Sequence, residues 1–505
     1  MNKKVFSLKK FILLTVQIII LIVSLVSMIL LISNFSYEYI WALLIIYYVL
    51  NMIFLFIIYV QKRNKIAKFS WIYFIILFPI IGNVVFVAFG LVFINKYELK
   101  LDNDPKYNIQ TYIDQGLIPN LTSNDSQLQQ YESLNNNKAL PCLIKFYDQG
   151  YHLYDEVFKH IKNAKKSIFI VTYIIKKSEI SKEFIHLIKQ KKEEGIDIKW
   201  LVDDFGATFS QKRELNKLKK LGVEVYRIGK IYYPFINATS FTRNHQKYII
   251  IDSKLVFSGG NNISDEYASL SKKYGHWIDL NYMITGPYVN YYNLAFIKFW
   301  KVITKKNIDI EPNLYFNYNY DLSLMDNQAI LSIDSPSYNY STAEYNWIQM
   351  LMNAKKEIII CSPYFSLSSA LSKAMILALK KGIKVKLYFP GLPDKKFVYK
   401  ISLYQIKQLM QFGLEVYIYN ENFMHSKCGI IDDEIAWAGT SNWDSRSMFS
   451  QYETIDIFKG QAVSDLKTII NSYNKHCYLL KNSPLYTKNG TWVSRMIYHL
   501  SLPLI

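Results

Sequence analysis

The chain has 505 residues, more than one ordinary domain needs, so two or three domains are expected. Lys and Arg outnumber Asp and Glu by 59 to 40, which favours an anionic partner such as nucleic acid, a phosphate ester or an acidic lipid. The four cysteines, Cys142, Cys361, Cys428 and Cys477, are far apart, which excludes a paired-cysteine zinc site or a redox CxxC, and they read as free thiols.

The first 95 residues read as a membrane region. Residues 11–32 form an uncharged run of 22, long enough for a helix to cross about 30 Å of hydrocarbon. A second apolar run covers residues 39–60 and reads as a second transmembrane helix, and a third covers 71–94. The first run is too long for the core of a signal peptide and reads as an anchor. Lys3, Lys4, Lys9 and Lys10 precede the first run, and Lys62, Arg63, Lys65 and Lys68 follow the second, so both groups are expected in the cytoplasm. The third run contains Pro79, Gly82 and Gly90 and is expected to be broken, re-entrant or interfacial, leaving the rest of the chain at the cytoplasmic face. Residues 96–140 are polar, with Asn, Asp, Gln and Ser clustered at 120–137, and read as a surface linker.

Beyond residue 141 the chain repeats itself at long range. Asn163-Ala164-Lys165-Lys166 leads into Ile168-Phe169-Ile170-Val171, and Asn353-Ala354-Lys355-Lys356 leads into Ile358-Ile359-Ile360-Cys361. Each pair predicts a helix end followed by a buried strand. Helical stretches at 182–194 and 371–381 then reach Gly195 and Gly382, each at a helix C-cap before an alternating strand. A further helix and a second glycine-led strand follow in both copies, at Gly222 and at Gly413. Two α/β units related by a pseudo-two-fold are predicted, residues 141–325 and 326–505, with a site shared at their interface.

The sharpest feature follows the second glycine-led strand in each copy. His245-x-Lys247 with Asp252, and His425-x-Lys427 with Asp432, both spell H-x-K-x4-D, with the histidines 180 residues apart. Asn262 and Asn442 close a glycine-led turn after each aspartate, and Thr440 lies in the second turn. On a strand, residues two apart share a face, so each copy presents an imidazole beside an ammonium. Two such copies meeting would give a phosphodiester a nucleophile, a proton donor and fixed positive charge, with Asn262, Asn442 and Thr440 as neutral donors to phosphate oxygens. A lone histidine on a strand is more often a core or surface residue. A matched pair inside a matched repeat argues otherwise. HExxH and calcium-loop patterns are absent, and neither a metal nor another cofactor is expected.

These motifs resemble the phospholipase D superfamily, over nearly everything from residue 141 onward. The run from Gly259 to Tyr267, then His276-Trp277-Ile278-Asp279, resembles its cardiolipin synthase branch, as do Pro363-Tyr364-Phe365, Asn442-Trp443-Asp444-Ser445-Arg446-Ser447 with Glu453, and the tail 495–505. Ile278 stands where that branch usually has arginine, and Gln451 where it usually has asparagine. The resemblance implies that Asp279 and Glu453 orient the histidines, and that Asp252 and Asp432, although motif residues placed with the catalytic set, look structural. It implies phosphatidyl transfer between two phosphatidylglycerol molecules through a phosphatidyl-histidine, with anionic membrane lipid as partner and no nucleic acid. By superfamily habit His245 is the nucleophile and His425 the acid and base, though the residues themselves permit the reverse. A hydrolase of the same superfamily and a non-catalytic lipid-binding protein are the rivals. The apolar runs argue against a nuclease, and two intact motifs argue against a vestigial site.

Overall fold

The computed structural model describes residues 37–61, 65–91, 94–117, 125–207, 209–231, 240–271, 273–308, 321–487 and 490–502, with isolated positions between 19 and 26. The chain divides into two compact units, one running to residue 94 and including 231–242, the other comprising 95–230 and 243–505.

In the first unit, the expected crossing at 11–32 falls almost wholly outside the described residues. Helix Tyr37–Val60 is followed by Lys65–Leu77, Pro79–Val85 and a π-helical turn, Phe86–Gly90. Within the third apolar run the helix is interrupted at Phe78. Phe78 leaves helical geometry (φ −130°, ψ 68°), and Pro79, which has no N–H to lose, opens the next helix. Ile58, Ile75 and Phe86 pack together at the centre of this unit. Among the described residues no helix is long and apolar enough to cross a membrane.

The second unit is one α/β/α layer structure. Its first half carries β1 (Leu140–Tyr147), β2 (Ser167–Thr172), β3 (Asp197–Asp203), β4 (Glu224–Ile228), β5 (Arg243–Asn244), β6 (Tyr248–Ile251), β7 (Leu255–Gly259), β8 (Trp277–Ile278) and β9 (Asn281–Thr285). The second half carries β10 (Asn327–Asp334), β11 (Glu357–Cys361), β12 (Phe365–Ser366), β13 (Lys384–Pro390), β14 (Glu415–Tyr419), β15 (Phe423–Met424), β16 (Cys428–Ile431), β17 (Ile435–Gly439), β18 (Trp443–Asp444), β19 (Gln451–Gly460) and β20 (Cys477–Leu479). The main sheet runs β20-β14-β13-β11-β16-β17-β19-β10-β1-β9-β7-β6-β2-β3-β4, so outside β20 the two halves mirror each other about the antiparallel β10–β1 seam. This is the paired α/β architecture read from the repeat. β2 is buried along its whole length, as an apolar run covered on both faces must be. Helices Val289–Thr304 and Gln461–Tyr473 cover one face through a core that spans both halves. Separate cores under helices such as Glu179–Glu193 and Ser369–Lys380 fill the other face of each half.

The stretch read as a surface linker is part of this body. Helices Lys96–Asp102, Ile109–Asp114 and Ser126–Asn135 bury Leu101, Ile109, Tyr112, Ile113, Leu128 and Tyr131 in the cores. Its polar composition has another cause: Asn95, Asp104, Asn108 and Asp125 are N-caps whose side chains accept backbone N–H groups.

Candidate active site

Both H-x-K segments lie between strands rather than on one. β5 pairs with β19 of the other half, whereas β6 pairs with β2 and β7 of its own half. Residues 245–247 are the extended crossover between those partners. The second copy does the same: β15 pairs with β8 of the first half, and β16 with β11 and β17 of its own. The histidine amides seal the exchange, His245 N donating to Tyr452 O (2.9 Å) and His425 N to Ile278 O (2.6 Å). Ile278 therefore serves His425 through its carbonyl, which its departure from arginine leaves intact. Gln451 likewise pairs with Arg243 through backbone, and its side-chain oxygen accepts from the Ser447 hydroxyl at 3.3 Å.

The pairing of imidazole and carboxylate is crossed between halves. His245 Nδ1 lies 2.9 and 3.0 Å from the two oxygens of Glu453, and His425 Nδ1 lies 2.6 Å from Asp279 Oδ2. A carboxylate at Nδ1 fixes the proton there and leaves the Nε2 lone pair free. Lys247 Nζ donates to His245 O at 2.6 Å, and Lys427 Nζ to His425 O. All six side chains are buried.

Burial dominates their electrostatics. It holds both imidazoles well below the ordinary histidine range, with the charges of Lys247 and Lys427 adding to the effect. It also pushes Lys247 down to about 7 and Lys427 down to about 8, against the pull of Glu453 and Asp279. The carboxylates move the other way: Asp279 rises to about 6, and Glu453 rises well above its usual range. Six ionisable groups thus share one buried site, and the addition of one anion would redistribute their protons.

The remaining residues singled out by sequence divide. The Asn262 amide donates to the Tyr267 hydroxyl at 2.5 Å, and its carbonyl accepts from Ile174 N at 3.0 Å. The Asn442 amide donates to Ser447 Oγ at 3.1 Å. Each amide keeps a second hydrogen. Thr440, expected as a phosphate donor, is a correction: its hydroxyl donates to Glu453 Oε2 at 2.5 Å and so supports the carboxylate. Asp252 and Asp432, grouped with the catalytic set, are not brought to the histidines. Asp252 accepts the N–H groups of Lys165, Lys166 and Ser167, and Asp432 those of Lys355, Lys356 and Glu357. Each begins a turn at positive φ (52°) and ties it to the start of a central strand, at the opposite end of the hairpin from the histidine.

Sequence reading misses the neighbours contributed by other elements. Tyr173 stands edge-on to His245 with ring centroids 5.1 Å apart, and the Lys247 amine lies 5.5 Å from the same ring. Asp203, at the end of β3, receives Arg243 Nη1 at 3.1 Å and Asn244 N at 2.9 Å directly before the nucleophile candidate. Its signal is present in the sequence, since the carboxylates Asp203 and Asp204 closing a buried parallel strand mark the end where α/β sites form. The Asp279 and Glu453 positions and the paired motifs are legible; the exchange of partners between halves is not.

Comparison with known proteins points to one family. The family described as "Cardiolipin synthase, PLD-like domain" matches residues 157–287 and 347–474, together just over half of the chain. A cardiolipin synthase 2 of Staphylococcus epidermidis is 29% identical over 427 residues, covering 81% of this chain and 86% of the relative. A cardiolipin synthase of Staphylococcus aureus is 28% identical over 462 residues, covering 88% and 92%. Among solved structures, phosphatidylserine synthase of Haemophilus influenzae superposes with a TM-score of 0.55 at 16% identity, covering 75% of this chain and 98% of that one, a likeness of fold.

Proposed function

The chain belongs to the cardiolipin synthase family with phospholipase D-like domains and is a phosphatidyltransferase, and on that premise we propose that it joins two phosphatidylglycerol molecules into cardiolipin and releases glycerol. The crossed histidine–carboxylate pairs carry this reading: two buried imidazoles, each held through Nδ1, leave two Nε2 atoms for one nucleophile and one acid–base group. In the first step His245 Nε2 attacks phosphorus and forms a P–N bond. The P–O bond to glycerol breaks, and His425 gives a proton to the departing oxygen. In the second step His425 takes the proton of a second phosphatidylglycerol hydroxyl, whose oxygen attacks phosphorus and breaks the P–N bond. Lys247 and Lys427 supply charge to the non-bridging oxygens, with the spare amide hydrogens of Asn262 and Asn442 as further donors.

The lowered proton affinity of the two imidazoles fits these steps. A neutral His245 is a competent nucleophile, and the negative charge of a bound phosphodiester raises the proton affinity of His425 when the acid is required. Water in place of the second lipid would give a hydrolase without changing any residue, and burial of both histidines, which limits access of water, favours the lipid hydroxyl.

The apolar runs support membrane anchoring of the region before residue 95. In Tyr37–Val60, Trp41, Ile45, Tyr48, Phe56 and Tyr59 are exposed, as lipid-facing side chains would be. The basic groups flanking the runs favour a cytoplasmic catalytic body. Incubating the purified chain in detergent with labelled phosphatidylglycerol tests the reaction: cardiolipin and glycerol are expected, and phosphatidic acid without cardiolipin would replace this reading with hydrolysis.

A further inference from the structure

The C-terminal helix Trp492–Ser501 has one face covered and one bare. Tyr498 and Leu502 pack on Ile401, with Val398 and Tyr404 beside them, and the Ser366 hydroxyl donates to Leu502 O at 2.6 Å. The opposite face carries Trp492, Met496 and Leu500 at i, i+4 and i+8, with Val493 and Ile497 beside them, all exposed and Trp492 at 70%. Phe397, 53% exposed, extends this patch from the neighbouring helix, its ring 6.2 Å from that of Tyr498. The charges around it are mostly positive, with Asp394 3.9 Å from Lys395. Lys395, Lys396, Lys400 and Arg495 are exposed, and neither Trp492–Ser501 nor Lys396–Met410 contains an acidic residue.

The patch also borders the site. The Lys395 amine lies 5.0 Å from the Tyr364 ring, whose hydroxyl donates to Asp394 at 2.5 Å. The Tyr364 and Phe423 rings are 6.4 Å apart, and Phe423 lies 5.6 Å from His425. We infer that Trp492–Ser501, with Phe397 and the lysines 395, 396 and 400, is an interfacial docking surface that seats the His425 side of the active site on an anionic bilayer. A bare apolar stripe beside basic residues is the composition that enters a headgroup layer. Pairing with a second copy would set the same cations against one another, because a two-fold contact brings a patch onto itself. That the substrate is a bilayer lipid is taken from the proposed function.

The test uses the full chain in phosphatidylcholine vesicles with and without phosphatidylglycerol. Met496→Cys, labelled with an environment-sensitive fluorophore, is compared with Lys189→Cys on an exposed helix of the first half, after subtracting labelling of the unsubstituted chain. Quenching by brominated acyl chains is expected to be several-fold stronger at 496 and to weaken without phosphatidylglycerol. Equal quenching at both positions would overturn the proposal, as would energy transfer between labelled copies without lipid quenching, which would put a second copy there. Ile497→Glu supplies a second measurement: conversion of vesicular phosphatidylglycerol should fall about fivefold or more, while conversion of a short-chain, monomeric phosphatidylglycerol is unchanged. Equal loss on both forms would count against docking. A parent chain inert on both forms, with quenching at 496 intact, would sink the reaction and leave the surface standing.

Discussion

The two halves share a motif but not its surroundings. Behind His245 the approach is polar: Arg243 and Asn244 precede it, and Asp203 holds both. At the equivalent places behind His425 stand Phe423, Met424 and Pro390. His425 sits among Trp277, Phe423 and Tyr267, with ring centroids 5.1, 5.6 and 5.8 Å away. The carboxylates differ as well. Glu453 receives the Thr440 hydroxyl, whereas the position matching Thr440 is Gly260, where an added Cβ would collide with the Asp279 carboxylate. One backbone plan thus places two imidazoles equivalently, and side chains outside the motif make them chemically unequal.

The largest expected effect breaks the symmetry outright. His245→Ala and His425→Ala should each reduce cardiolipin formation by on the order of 10³-fold or more, but for different reasons. Without His245 no covalent intermediate can form. Without His425 the nucleophile survives, and a nitrophenyl phosphodiester, whose leaving group needs no proton, should still load it slowly. Trapping acid-labile phosphohistidine in each variant decides the matter, and label on His425 in the His245→Ala chain would reverse the assignment.

The inequality explains what can be read from the chain alone. The repeat is legible because buried strands and glycine-ended helices leave local patterns, and Gly195 and Gly382 do sit at positive φ after their helices. The motif spacing locates the histidines, and resemblance places the downstream carboxylates. The crossover of 245–247 reads as strand because local alternation does not reveal that β5 and β6 pair with different halves. Residues 96–140 read as linker because capping side chains have the composition of a loop. Thr440 reads as a phosphate donor because a hydroxyl in such a motif carries no mark of the partner that claims it.

A second prediction concerns stability. Arg243 and Asp203 form an ion pair buried on both sides, and burial already pushes the Asp203 carboxyl up against the pull of Arg243. Arg243→Met strands that carboxylate and should cost about 3–5 kcal/mol, while Phe423→Met, its counterpart in the other half, should cost under about 1.5 kcal/mol. Adding Asp203→Asn to Arg243→Met should recover most of the loss. Denaturation midpoints of the full chain in detergent check this, and equal costs at the two positions would show the polar scaffold to be dispensable.

The lysines give a smaller, graded effect. Lys247 at about 7 and Lys427 at about 8 are charged below those values and discharge as pH rises through them, the first-half lysine first. Affinity for an anionic phosphate needs that charge. The specificity constant kcat/KM, which reports the free enzyme, should therefore fall by about tenfold per unit above about pH 7 and more steeply above about pH 8, where the second amine also discharges. A profile flat to about pH 9 on short-chain phosphatidylglycerol would mean that these amines stay protonated or do not bind the phosphate.

The smallest effect separates the motif's aspartates from its histidines. Asp252 and Asp432 occupy the same left-handed turn position and accept three backbone N–H groups each, so the two halves should here behave alike. Asparagine tolerates that backbone conformation, but in Asp252→Asn and Asp432→Asn its one accepting oxygen can keep two of the three N–H groups, and its NH2 would face the Lys165 or Lys355 N–H that the other carboxylate oxygen receives. Hydrogen bonds to a charged group exceed neutral ones by about 1 kcal/mol, so with two bonds weakened and one lost the expected stability loss for either variant is about 2–3 kcal/mol. With the carboxylates at the far end of each hairpin, turnover should change by less than about twofold. Measured together, an unfolding midpoint that shifts while turnover holds assigns both residues to the fold, whereas a roughly hundredfold loss of turnover with the midpoint unchanged would return them to the chemistry.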